Sequence, residues 1–346
     1  MSYLVPLICT FFISFYTIKF TKPLAVKIGL VDLPNMRKVH VGEIPLIGGI
    51  SIYIGVLTTS MLFIDSSREL NIFLVAAAMV LFIGILDDRY DLSVRLRLVA
   101  QIIVASMMIF GTEIYLTSFG HIFGFIEFQL GPVGALVTII AIIGGVNAFN
   151  MIDGIDGLAG MLSLVTFVSL AFLLGRVSND WYMLPILFIA SISAYLMFNL
   201  GWPSKSLQKI FMGDAGNMFI GLTVVWLLVV GSSAEVNAFR PVTALYLIAI
   251  PLMDMAAIMY RRIKKGGSPF KPDREHLHHI FERIGYTRKQ TLALITTAGA
   301  ALAFIGCAGD IYQVPEWIMF ATFICIFSIY TWALSHIWLI LKWLRK

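Results

Sequence analysis

NAFNMIDGIDGLAG, residues 147–160, lies between an apolar run at 133–145 and another at 158–174. Apolar segments of that length, joined by so short a polar stretch, read as two consecutive membrane helices with a turn between them. The turn carries the carboxylates Asp153 and Asp156, the amides Asn147 and Asn150, and Gly154, Gly157 and Gly160 at intervals of three. A plain turn needs a glycine and one Asn or Asp. The glycine spacing predicts backbone that a ligand can approach closely, with oxygen donors pointing into the same space. An interfacial turn with satisfied polar groups is the simpler reading, and a ligand site is the expectation.

The rest of the chain repeats the pattern. Of its 346 residues 59% are hydrophobic and 13% charged, with a mean hydropathy of +0.89. A soluble domain carries roughly twice that charge fraction. Alternating ten-residue strands are absent, so a membrane barrel is excluded and an all-α polytopic fold is predicted. Eleven spans are expected, near 3–22, 45–64, 71–86, 97–112, 132–150, 157–175, 181–200, 215–231, 241–260, 291–309 and 316–340. They form one integral membrane domain, 1–346. The first span has no basic residue before it and no small-residue cleavage site, and reads as retained. The segment 121–130 is apolar but too short to cross, and is expected at the interface or as a re-entrant piece. Cys9, Cys307 and Cys325 lie in apolar runs without a CxxC, suggesting neither a metal site nor a disulfide scaffold.

Lysine and arginine set the topology. Of the 25, 22 fall in one set of alternate loops and at the C-terminus, and only Arg68, Arg176 and Arg240 fall in the other. An outside N-terminus and an inside C-terminus follow. The inward loops, about 23–44, 87–96, 151–156, 201–214 and 261–290, then hold every suspicious polar cluster. Outer carboxylates such as Asp65, Glu113 and Asp180 are scattered and lack glycines. The site is expected to face the cytoplasm.

GILDDRYDLS (84–93) supplies Asp87, Asp88 and Asp91. In helical register Asp87 and Asp91 share a face beside Asp88, and a divalent cation would relieve the crowding. Magnesium suits this, since it bridges one or two carboxylates to substrate phosphates. A solvated helix end with Arg89, Arg95 and Arg97 as counter-ions is the alternative. Asp214, in FMGDAGN (211–217), stands at the mouth of a span as a helix cap or, beside the other acidic loops, a metal ligand. In PDREHLHHIF (272–281), Arg274 with His276, His278 and His279 reads as a phosphate-binding group. A zinc site lacks the usual accompanying cysteine or HExxH. Lys38, in RKVHVGEIPLIGG (37–49), belongs to a basic patch that meets either the membrane surface or an anionic substrate. Asp254, in IPLMDM (250–255), is an ionisable group within a span, with a functional role and a structural partner both open. Acidic loops, phosphate-binding bases and a membrane body together point to joining a cytosolic phosphorylated donor to a lipid phosphate.

RKVHVGEIPLIGG, GILDDRYDLS, NAFNMIDGIDGLAG, FMGDAGN with IPLMDM, and PDREHLHHIF, in chain order and over most of the chain, resemble the polyprenyl-phosphate N-acetylhexosamine-1-phosphate transferase family. HLHH and eleven spans with an inward C-terminus are closest to its branch acting on UDP-GlcNAc and undecaprenyl phosphate. The resemblance implies a magnesium enzyme (manganese as the alternative) of the bacterial cytoplasmic membrane that forms undecaprenyl-diphospho-GlcNAc and UMP. It implies Asp87 and Asp88 near the lipid phosphate, with Asp87 the favoured proton acceptor, and Asp153 and Asp156 in the nucleotide-sugar pocket. It implies Asp214 and Asn150 at the metal, and the three histidines on the donor. Asp91, Asn147, Arg274 and Lys38 are further expected substrate contacts. One-step transfer and an aspartyl-phosphate route both remain open, as do other UDP-HexNAc donors. No nucleic-acid partner is expected, and 28 glycines leave room for close helix packing, a homo-oligomer included. A transporter would want midplane carboxylates, which only Asp254 approaches. A membrane prenyltransferase would want a second aspartate-rich motif, for which DGIDGL is too glycine-rich.

Overall fold

The computed structural model describes residues 3–34, 42–177, 180–204, 207–268 and 276–336. Lys38 and Arg274 lie outside them. Each of the eleven expected segments is helical within the described residues. Among those residues, nine helices are long and apolar enough to cross a membrane. They are α1 (Leu4–Ile28), α3 (Arg68–Tyr90), α4 (Val94–Thr112), α5 (Val133–Ile152), α6 (Leu158–Arg176), α7 (Met183–Leu200), α8 (Gly213–Ser232), α12 (Arg288–Ile311) and α13 (Glu316–Ser335). The segment expected at 45–64 is α2 (Gly48–Phe63), which is shorter. The one expected at 241–260 is a bent pair, α9 (Pro241–Leu247) and α10 (Ala249–Lys264), meeting at 82°. A short helix, α11 (Leu277–Ile284), lies in the long basic loop.

Local chemistry explains the boundaries. Ser67 and Ser93 accept from the backbone N–H groups of Leu70 and Leu96 at the starts of α3 and α4. Thr287 and Gln290 form a reciprocal capping box on α12. The break between α9 and α10 follows from Pro251, which has no N–H to give to the Leu247 carbonyl one turn earlier. Thr166 on α6 donates its hydroxyl to that carbonyl at 2.9 Å. The bend therefore leaves no orphan acceptor in an apolar surrounding.

Small residues decide which helix is central. A Cβ on Gly49 would lie 2.3 Å from the Gly216 nitrogen, and one on Gly84 would lie 2.3 Å from the Ala215 Cα. Through these contacts α2 and α3 press directly against the first turn of α8. As a result 94% of the apolar window of α8 is buried, against 17% for α13 and 22% for α1. The outer helices show lipid-compatible side chains instead, such as Phe20 and Phe304.

Side-chain contacts sort the loops into the same two sets as the lysines and arginines. At one end, Lys22 meets Gln208, Leu46 bridges to Phe211, Asp88 meets the start of α8, and Lys209 meets Asp156. A two-residue ladder, β1 (Val31–Asp32) with β2 (Ile44–Pro45), closes the first loop there. At the other end, Arg240 meets Asp310 and Tyr3 meets Tyr182. The segment 121–130 belongs to this second end as a loop without helix. Phe119 and Phe128 stack at its base, and Phe125 and Ile126 are exposed at its tip.

Candidate active site

A cavity of about 1060 Å³ opens where α3, α5 and α7 end and α8 begins. Its floor is a helix-to-helix clasp. Asp88, near the end of α3, accepts from the backbone N–H groups of Asp214 (2.8 Å) and Ala215 (3.1 Å), so it caps α8 from another helix. Gly213 makes this possible. Its φ is +74°, and a Cβ there would sit 2.5 Å from Asp88 Oδ2.

Asp87 is buried, and its two oxygens go to different donors. Oδ1 accepts from Leu92 N at 2.8 Å, and Oδ2 pairs with Arg97 Nη1 at 2.8 Å. The carboxyl of Asp214 lies against that of Asp87. The crowded trio is therefore Asp87, Asp88 and Asp214, drawn from two helices. The expected trio differed because α3 stops at Tyr90 and Asp91 takes a left-handed C-cap conformation, φ 51°. Asp91 still lines the cavity, but not in helical register with Asp87.

The turn after α5 contributes Asp153, whose Oδ2 accepts from Asn217 Nδ2 at 2.7 Å, and Asp156, which pairs with Lys209 at 2.7 Å. Asn150 also faces the cavity. Asn147 does not line it. Its amide donates to Gln101 Oε1 (3.0 Å) and to the Ile143 carbonyl (2.7 Å), tying α5 to α4. Gly154 lines the cavity together with Asp153 and Ile155, and the glycines of the turn also meet protein side chains. Gly154 packs on His278, Gly157 on Leu200 and Gly160 on Leu196. All three make room for protein side chains, because the turn is wedged between α7 and α11.

The histidines part company. His279 lines the cavity, near Glu282 and Arg288. His276 is buried with its Nδ1 2.8 Å from Asp254 Oδ2. His278 is buried too, and neither ring nitrogen has a hydrogen-bond partner. Burial, aided by the neighbouring His279 and His276, pushes its pKa down to about 3, so the ring is neutral at physiological pH.

Eight carboxylates and three cationic side chains line the cavity. A diphosphate would be repelled without a bridging cation. Among the described residues, no three His, Cys, Asp or Glu side chains are arranged to hold a metal ion by themselves. That donor set suits magnesium, which keeps its waters and binds through one or two carboxylates and substrate phosphates. It does not suit a closed zinc site. Asp214 and Asn150, the two expected metal ligands, both line this cavity.

Sequence reading passed over Lys209 and Asn217 as site residues and treated Arg97 only as a counter-ion. Asn217 stands three residues beyond Asp214, hence on its face of α8, which was a usable signal. Nothing local marks Lys209 as the partner of Asp156.

A membrane-embedded helical body with an acidic cavity at its helix ends defines a polytopic transferase of phosphorylated lipids as the class to compare. Residues 70–232, from α3 through α8, match glycosyl transferase family 4. Over 99% of this chain and 96% of its own length, the undecaprenyl-phosphate alpha-N-acetylglucosaminyl 1-phosphate transferase of Pasteurella multocida (strain Pm70) is 47% identical. The protein of that name from Haemophilus influenzae (strain ATCC 51907 / DSM 11121 / KW20 / Rd) is 45% identical over 97% and 95%. Its counterpart in Escherichia coli (strain K12) is 44% identical over 98% and 93%. The chain belongs to the undecaprenyl-phosphate alpha-N-acetylglucosaminyl 1-phosphate transferase family.

Proposed function

We propose that the protein transfers GlcNAc-1-phosphate from UDP-GlcNAc to undecaprenyl phosphate, releasing UMP, at the cytoplasmic face of the bacterial inner membrane. The observation that carries this reading is the acid-lined cavity at the start of α8, in a chain whose relatives match along nearly their whole length. The lysine and arginine asymmetry supports the orientation.

Asp214 and Asn150 would hold magnesium, or manganese, which when bound neutralises the donor diphosphate and makes UMP a better leaving group. An oxygen of the lipid phosphate forms the new bond to the sugar-linked phosphorus. The phosphorus–oxygen bond to UMP breaks, and its electron pair leaves with UMP. Asp153, held by Asn217, and Asp156, with Lys209, would orient the donor, and His279 would approach it from α11.

Asp87 was expected to take a proton. Both of its oxygens already accept hydrogen bonds, from Leu92 N and Arg97. A monoester phosphate with a second pKa near 6 is largely ionised at neutral pH. We therefore assign Asp87 to positioning Arg97 and the end of α3, not to base catalysis. The same argument applies to Asp88, whose oxygens cap α8. Both are bonded into the scaffold, and the lipid phosphate is itself ionised, so one-step transfer is the preferred route. Retention of configuration at phosphorus would overturn that choice.

The test uses purified protein in detergent, undecaprenyl phosphate and UDP-sugars labelled in the sugar. Label should enter butanol-extractable lipid with magnesium but not with EDTA, with equal UMP release and UDP-GlcNAc preferred over other UDP-HexNAc donors. Release of UDP would mean glycosyl transfer and would refute the mechanism.

A further inference from the structure

Asp254 is 1% exposed and sits on α10, away from the cavity lining. It collects three donors. His276 Nδ1 lies 2.8 Å from Oδ2, Leu277 N donates to Oδ1 at 3.1 Å, and the Tyr330 hydroxyl donates to Oδ1 at 2.8 Å. His276 is the N-cap of α11 and Leu277 its first residue. Both groups that begin α11 are therefore held by one carboxylate, which α13 braces through Tyr330. An Asp side chain placed this way does the work of an N-cap from outside the helix.

Two residues further on, α11 is keyed a second time. His278 packs its ring edge on Gly154, where a Cβ would stand 1.9 Å from Nε2. With no hydrogen bond to either ring nitrogen among the described residues, His278 is held by packing, against Gly154 and the rings of His276 and His279. It can stay in its slot only while the start of α11 is fixed. The next residue, His279, lines the cavity.

We propose that Asp254, braced by Tyr330, is a positioning residue for the transfer reaction: it fixes the start of α11, and thereby the placing of His278 under the Gly154 turn and of His279 at the cavity. The inference rests on the function proposed above. It makes the peripheral helix α13 a determinant of donor binding, although α13 contributes nothing to the cavity lining among the described residues. Asp87 and Asp88, expected beside the lipid phosphate, are bonded to α4 and α8 and not to this anchor.

Two variants test it in the full-length protein. Asp254→Asn removes the charge at constant shape, and Tyr330→Phe removes one hydroxyl. Loss of an outer-shell partner of this kind costs roughly ten- to hundredfold. Asp254→Asn should raise KM for UDP-GlcNAc by about that factor and leave KM for undecaprenyl phosphate unchanged. Tyr330→Phe should act in the same direction and less. Ser328→Ala, on the same helix, is the control without effect. Hydrogen exchange across 276–284, which needs no turnover, should quicken in both variants and not in the control. An unchanged donor KM, an equal rise in both KM values, or unchanged exchange would each overturn the proposal. Should Asp254→Asn fail to fold, Tyr330→Phe decides alone. A wild-type protein that makes no lipid product would refute the proposed function, while the exchange comparison would still judge the anchor.

Discussion

At the end of the bundle where α12 meets α13, Arg240 satisfies its neighbours almost completely. Its backbone N–H and Nε donate to Asp310, Nη1 to the Val314 carbonyl and Nη2 to the Gly309 carbonyl, and Thr243 adds a hydroxyl to Asp310. At the end where α8 begins, the balance is reversed. Asp87, Asp88 and Asp214 converge, and among the described residues Arg97 is the one cation paired with them, through Asp87. The first arrangement is a staple, in which Arg240 and Asp310 each have several partners. The second is held together by backbone N–H groups and close glycines, and keeps an excess of negative charge. Stability is concentrated at one end, and binding capacity at the other.

The largest expected effect tests the binding end. Asp214→Asn should lower kcat by about 10²–10³-fold, the usual loss when one preorganised electrostatic group is removed. Its melting temperature in detergent should hold or rise, because a like charge has gone. A clear loss of stability instead would make Asp214 structural and end the contrast. Next comes Arg240→Ala, which leaves Asp310 buried without its cation. About 3–5 kcal/mol of stability should be lost, seen as a lower melting temperature, with kcat for the remaining folded protein unchanged. A selective loss of kcat would show that the two ends are coupled.

The third concerns pH. The ordinary histidine pKa lies near 6.5, and that of folded His278 is about 3. The unfolded chain thus binds the extra proton first. The stability His278 contributes is present above pH 6.5 and lost as pH falls from there toward 3. Melting temperatures followed from pH 7 to pH 4.5 should fall less steeply in His278→Gln than in wild type. The smallest effect is expected at the rim. Lys209→Gln breaks a partly exposed pair with Asp156 and should raise donor KM by no more than about fivefold, in line with an exposed ion pair of about 0.2–1 kcal/mol. A much larger rise would assign Lys209 a direct contact with the donor phosphates.

Much of this was legible in the chain. Span positions followed from apolar length, whereas the break before Pro251 in the segment expected as a single span at 241–260 did not. The two-way sorting of loops by lysine and arginine agrees with the side-chain contacts at each end. The acidic motifs were visible one at a time. What each acid is bonded to was not, since Asp88 and Asp214 are 126 residues apart and Asp254 finds its third donor 76 residues later, on the last helix. Asn147 and Asn150 look alike in sequence. One ties α5 to α4 and the other lines the cavity.

Sequence alone determined that the chain is a bundle of membrane helices, roughly where each lies, and which loops carry the acids. Those signals are local, because in lipid each helix must satisfy its own backbone. Only the tertiary structure decided that α8 is central, that Asp87 and Asp88 are bonded into the scaffold, and that the Gly154 turn receives a histidine. The physical reason is that a membrane helix is apolar all round whether it faces lipid or protein. Hydrophobicity then carries no inside-to-outside pattern, and the arrangement rests on close packing of small residues and on hydrogen bonds between distant helices.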